Sequence, residues 1–397
     1  MAVNNDFYKV MNELVARATN GTATEVVDYD TFVDAGKALS DLNATDYRNN
    51  FLGELMNRIA RVILVKRSYD GAYKELDRGM IPYGNTIEMI MFRFFEAKIA
   101  PFVSLTDGQS VDQWVIAKPK VDTNYYVKTN ATSFPVTIER DQLIKAFTSP
   151  GEMETFIDGI LLYIRNTIEL FRETGRIGMV ADWVKNLCAV TAEETDENKP
   201  SMHYNLLSIY NAHTGAGLTA DQCLYNEDFV KFAVATIKKV LERTKKVSES
   251  YNFGTVDENG NPVPLKTFTN PGDRHLFVNS QLAAAIDAYV PRPYLNNDSM
   301  GLTDYIDVPY WQNEDSPLTV SYGDENTQSV AAETVTPKVL AVFLDRYALG
   351  EYLKEVSIET TPYNVAGKYW DTWASIETRY VINKMANGIV FTISDAE

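Results

Sequence analysis

Histidine is the side chain best suited to moving protons near neutral pH, and this sequence has three, His203, His213 and His275. They form no i,i+4 pair and no HExxH spacing, so they read as surface or strand-end residues rather than ligands. Cys188 and Cys223 lack a CxxC partner and are too few for a disulfide framework. Glu193-Glu-Thr-Asp-Glu197 crowds four carboxylates suited to a hard cation. With no turn-forming glycine among them, the run is expected to be a solvated boundary loop. Asp257-Glu-Asn-Gly-Asn261 carries an Asn-Gly hairpin signal and lacks the later glutamate of a calcium loop. No Walker A, GxGxxG or GxSxG motif is found, and Gly215-Ala-Gly217 stands alone after a loop. The expectation is therefore no catalytic residue, no cofactor site and no metal site. One enzymatic class stays open: glycoside hydrolysis by two carboxylates brought from distant positions, in a chain with 54 acids and 12% aromatics.

The elements that would position such groups are those of an ordinary globular chain of 397 residues, 45% hydrophobic and 23% charged, long enough for two or three cores. No apolar run approaches the roughly 18 residues of a membrane span; the longest is Val339 to Leu344, so no membrane partner is expected. The start, MAVNNDFYKV, has neither the basic residues nor the apolar stretch of a secretory signal, which predicts a protein kept inside a cell. Thirty-seven basic against 54 acidic side chains give a net charge of −17, the wrong sign for gripping nucleic acid over a broad surface.

Apolar periodicity predicts a short amphipathic helix at Phe7, Val10, Met11, Leu14 and Val15, and a helical patch from Phe51 to Ile59. Val62–Val65 and Ile87–Phe95 read as the two strands of a long hairpin, with a polar tip ending in Gly79-Met-Ile-Pro-Tyr-Gly84. Between Arg58 and Arg78 six basic residues (Arg58, Arg61, Lys66, Arg67, Lys74, Arg78) face three acidic ones (Asp70, Glu75, Asp77), net +3 on an acidic body. That bias suits either docking onto a neighbouring copy or a solvated hairpin. The longest helix follows the stripe Met153, Phe156, Ile157, Ile160, Ile164, Ile168 and Phe171, with Gly175 as its stop and a second helix from Ile177 to Cys188. Asn226 caps a helix ending in Lys238, Lys239, Arg243, Lys245 and Lys246, whose charges complement the helix dipole. Leu276–Val278, a helix capped by Ser280 and the strand Val339–Leu344 form an α/β unit, and Val356–Thr360, Lys368–Ile382 and Ile389–Ile393 return as strands.

This order, together with Asn50-Phe-Leu-Gly-Glu-Leu-Met-Asn-Arg-Ile59, Gly79-Met-Ile-Pro-Tyr-Gly-Asn-Thr-Ile-Glu88 and Gly367-Lys-Tyr-Trp370 through Met385-Ala-Asn-Gly-Ile-Val-Phe391, resembles the major capsid proteins of tailed bacteriophages. Their shell fold is named after phage Hong Kong 97, and the look here is closest to the phi 29-like short-tailed phages. The resemblance implies an α+β fold. Its parts would be an N-terminal arm (1–57), an E-loop hairpin with flanking strands (58–100), a P domain with spine helix (101–195), an inserted α/β A domain (196–345) and returning P domain strands (346–397). It implies a structural protein forming pentamers and hexamers of a phage head, with a scaffolding protein and a portal as partners. Double-stranded DNA would be enclosed without sequence-specific binding, and the protein would reside in the virion after assembly in the host cytoplasm. Lys66, Arg67, Tyr73, Lys74 and Arg78 would then be intersubunit contacts of the E-loop. An encapsulin-like protein container would share the fold.

Overall fold

A computed structural model of the chain describes residues 12, 31, 71–84, 86–94, 106–110, 118–127, 129–140, 150–190, 193–256, 262–289, 305–322, 333–334 and 337–395. The expected helices at 5–18 and 51–59 and the strand at 62–65 lie outside these. In chain order the elements are β1 (Asp77–Met80), β2 (Ile87–Phe92), β3 (Val121–Tyr126), β4 (Asn130–Glu139), α1 (Pro150–Val190), β5 (His203–Asn205), α2 (Leu206–Thr214) and α3 (Glu227–Arg243). There follow β6 (Thr255–Val256), β7 (Pro262–Val263), β8 (Arg274–Asn279), α4 (Ser280–Tyr289), β9 (Ile306–Val308), β10 (Ser321–Tyr322), β11 (Glu333–Thr334), β12 (Lys338–Asp345), β13 (Leu349–Thr360), β14 (Tyr369–Ile382) and β15 (Gly388–Ile393). The fold is α+β.

Two sheets organise the chain, one ordered β5-β15-β12-β8-β9 and one ordered β1-β13-β14-β4. The five-stranded sheet is apolar on both faces because helices cover both. Leu206, Phe229, Ala233, Ile237 and Leu282 of α2, α3 and α4 share a core with its strands, while Trp183, Val184 and Leu187 of α1 share another with Phe277, Val342 and Val390. That double burial explains the uninterrupted apolar run Val339–Leu344. It also corrects the boundary drawn at 345/346: β15 is buried throughout and lies between β5 and β12, so the last strand belongs to the α/β unit. The residues flanking the Asn-Gly signal pair antiparallel as β6 and β7. Asn226 caps α3 by accepting from the Phe229 amide at 2.9 Å, whereas α4 is capped by Asn279 rather than Ser280.

Gly175 does not stop a helix; it sits in the middle of α1, which runs for 41 residues. A glycine there costs roughly 1 kcal/mol against alanine, but a Cβ would lie 2.0 Å from the Tyr380 hydroxyl. The glycine lets the sheet approach. At Gly388 a Cβ would come within 2.6 Å of the Trp183 ring, and that ring is fully buried edge-on to Phe253. Gly388→Ala is therefore expected to cost about 1–3 kcal/mol through overpacking, as read by urea denaturation of the subunit.

The acidic run is a loop only partly open to solvent, with Glu193 and Thr195 exposed and Glu197 buried. Glu193 accepts from Asn205 and Ser394, and Glu197 is hydrogen-bonded to His213 at 2.7 Å and accepts from Lys239 at 3.3 Å. His203, read as a surface or strand-end residue, opens β5 and is buried against the Thr392 hydroxyl at 2.9 Å. Burial alone would raise the Glu197 pKa, but the bonds from His213 and Lys239 outweigh it and hold the carboxyl below its ordinary range. A depressed carboxylate contributes stability that is complete above its unfolded-state pKa and is lost as pH falls through the folded one. Wild type should consequently lose more stability than Glu197→Gln on going from pH 5 to pH ~3, measured by urea midpoints at each pH.

Candidate assembly surface

Among the described residues, several exposed apolar groups fall together on the ribbon formed by β2 and β3. The strands pair antiparallel, Ile87 opposite Tyr126 through Phe92 opposite Val121. The strand expected opposite β2, at 62–65, lies outside the described residues; among those described, β2 pairs with β3 across residues 93–120. Cross-strand neighbours share a face. One face carries Ile87, Met89, Met91, Asp122, Asn124 and Tyr126, all buried or half-buried. On the other, Ile90 is 53%, Phe92 64%, Val121 44% and Tyr125 64% exposed. Four large apolar side chains on one side of a strand pair about 20 Å long form a patch of the kind that marks an interaction site. Arg93 clips its far end by a bidentate bond to Asp122, both contacts at 2.6 Å.

The strand that leads towards the ribbon is firmly held. β1 runs parallel to β13 and is fixed by a buried ionic cluster. From α1, Arg172 reaches Asp77 at 3.0 Å, Glu169 at 3.1 Å and Glu351 at 2.7 Å. Arg176 pairs with the same Glu351 and with Glu173 at 3.3 Å. Burial would lower the Arg172 pKa, yet the facing Glu351, Glu169 and Asp77 reverse this and hold it above its ordinary range. Glu173 also accepts from the Tyr73 amide at 3.2 Å, and a Cβ on Gly71 would strike that carboxylate. Beyond the cluster, the Ile81 amide donates to the Leu353 carbonyl at 2.8 Å, carrying the chain to the ribbon.

Of the five residues assigned to intersubunit contact, Lys66 and Arg67 lie outside the described residues. Tyr73 is buried in the chain's own core, its ring 5.2 Å from Phe277. Lys74 is exposed in a short 3-10 turn. Arg78 is half-buried and donates to the carbonyls of Leu349, at 3.1 Å, and Arg346. The segment 71–80 is therefore a structural edge of the four-stranded sheet and not a polar tip, since Tyr73 and Leu76 supply apolar burial there. The ribbon's outer residues were passed over because Ile87-Glu-Met-Ile-Met-Phe92 is apolar at both parities, and only the pairing with β3 decides which side is covered. Trp370 is buried in the four-stranded sheet, whereas Trp373 is 45% exposed. Among the described residues no group of His, Cys, Asp and Glu could hold a metal ion, and no helix is long and apolar enough to cross a membrane.

A family model described as Phi29-like phage major capsid protein matches residues 9–392. The chain is 25% identical over 350 residues to the major capsid protein of Bacillus phage PZA, which covers 88% of this chain and 64% of that protein. It is 24% identical over 394 residues to the major capsid protein of Bacillus phage B103, covering 98% of this chain and 73% of that protein. The chain thus spans less than two thirds of the PZA protein's length. Among solved structures, the capsid structure of Staphylococcus phage Andhra is similar in fold, with a TM-score of 0.50 and 12% identity over 83% of this chain and 86% of that one.

Proposed function

The chain belongs to the Phi29-like phage major capsid proteins, and from that premise we propose that its copies close into a phage head of pentamers and hexamers around double-stranded DNA. In this reading the β2–β3 ribbon is the E-loop, α1 the spine helix, the four-stranded sheet the P domain and the five-stranded sheet with α2, α3 and α4 the A domain of a Hong Kong 97-type subunit. The observation that carries it is the ribbon's outer face, where Ile90, Phe92, Val121 and Tyr125 are largely exposed among the described residues. A second copy is the occupant that a shell supplies at every position, and closure multiplies individually modest contacts. No chemistry is required of the subunit, and its role is structural.

The net charge of −17 supports an enclosing rather than a gripping relation to DNA, because like charge prevents the phosphate backbone from adhering. A scaffolding protein and a portal complete the assembly, which takes place in the host cytoplasm and ends in the virion. The test is electron microscopy and light scattering of the purified chain, alone and with its scaffold. Closed shells are expected. A protein that stays monomeric under both conditions at high concentration contradicts the proposal, and particles from the native source that hold protein cargo instead of DNA favour an encapsulin-like container.

A further inference from the structure

Gly84 precedes β2 and Thr129 lies between β3 and β4, the root of the ribbon, and one arginine grips both. Arg379 of β14 donates from Nε to the Thr129 hydroxyl at 2.9 Å and from Nη2 to the Gly84 carbonyl at 2.9 Å. It is 2% exposed. Among the described residues no carboxylate pairs with it, and its Nη1 is buried without an acceptor. Arg172 and Arg176, the arginines that fix β1, are by contrast surrounded by four carboxylates. The chain therefore has two kinds of arginine anchor, one charge-neutralised and one held by neutral oxygens alone.

We propose that Arg379 is a releasable latch that sets the angle of the β2–β3 ribbon against the body and lets go when the ribbon docks on another copy. A guanidinium buried with only two neutral partners is under-compensated, so opening the root returns it to water or offers it a carboxylate, offsetting the two bonds lost. The backbone at the root can turn: Gly84 has φ +87° with open space where a Cβ would sit. Among the described residues two further side-chain ties are seen. Tyr126 donates its hydroxyl to the Ile382 carbonyl at 3.0 Å, and Phe94 at the far end meets Phe268 at a ring distance of 6.2 Å. Arg379 is thus a positioning residue for assembly, an inference that rests on the shell reading above.

The test compares wild type with Arg379→Gln and with Thr129→Val, which removes one acceptor and leaves the arginine in place. Hydrogen exchange of the unassembled full-length subunit is followed at the root, 80–84 and 127–130, and in β15. Both variants are expected to exchange about tenfold faster at the root, as fits loss of a hydrogen bond to a charged group, with β15 unchanged and closed shells replaced by open or irregular polymers. Unchanged root exchange overturns the latch. Equal acceleration in β15 also overturns it, because Arg379 would then be a general stability residue. If Arg379→Gln fails to fold, Thr129→Val alone decides on the same criteria. Root opening in the variants alongside a wild type that never forms shells sustains the latch and refutes the shell reading instead.

Discussion

Replacing Glu351 with alanine is expected to destabilise the unassembled subunit by about 3–5 kcal/mol, a large part of the roughly 5–15 kcal/mol that holds a typical domain folded. Glu351 has 0% exposure and accepts from Arg172 at 2.7 and 3.2 Å and from Arg176. Without it, two guanidinium groups stay in an apolar junction with fewer carboxylates, and desolvation already incurred is no longer offset. The exposed pair Lys231–Glu227 on α3 provides the contrast, since a solvated i,i+4 pair contributes only about 0.3–0.5 kcal/mol. Glu351→Gln, which keeps the shape and one acceptor, should fall between these limits. Urea denaturation of the three variants reads the order directly, and a Glu351→Ala loss no larger than that of Glu227→Ala would show that water reaches the cluster.

The second large effect concerns assembly and spares folding. Ile90→Asp with Phe92→Asp puts two carboxylates on the outer face of the ribbon, where the native side chains are 53% and 64% exposed. Exposed substitutions away from special features change stability by about 0.5 kcal/mol or less, so the variant subunit should keep nearly its wild-type melting temperature. At an interface the same carboxylates would be buried without partners, at a cost of several kcal/mol each. Every subunit of a shell repeats that cost, so closed particles should become undetectable by sedimentation. Wild-type yields of shells from the double variant would remove the ribbon from the assembly surface.

Local chemistry was readable from the sequence and long-range pairing was not. Asn226 and the stripe of α3 announced a helix because cap and periodicity lie within a few residues of each other. The strand character of Ile87–Phe92 was likewise visible, but its partner lies beyond residues 93–120, and nothing in β2 itself distinguishes Val121–Tyr126 from a closer strand. Glu169 and Arg172 fall off the apolar stripe of α1, yet both are buried. The reason is Glu351, 179 residues downstream of Arg172, which turns a polar helix face into an internal one. Gly175 and the acidic run 193–197 misled in the same way, because Tyr380, His213 and Lys239 supply their meaning from elsewhere in the fold. For the assembly surface, charge drew attention to 58–78 and away from the ribbon, since exposure of an apolar side chain depends on pairing that a single strand does not encode.

The most direct measurement is a cryo-electron microscopy reconstruction of particles assembled from the wild-type chain. The account predicts a closed shell of pentamers and hexamers in which Ile90, Phe92, Val121 and Tyr125 of each subunit are buried on an adjacent copy. A closed shell that leaves this face of the ribbon in solvent, or a chain that yields no shell with or without its scaffold, would contradict it.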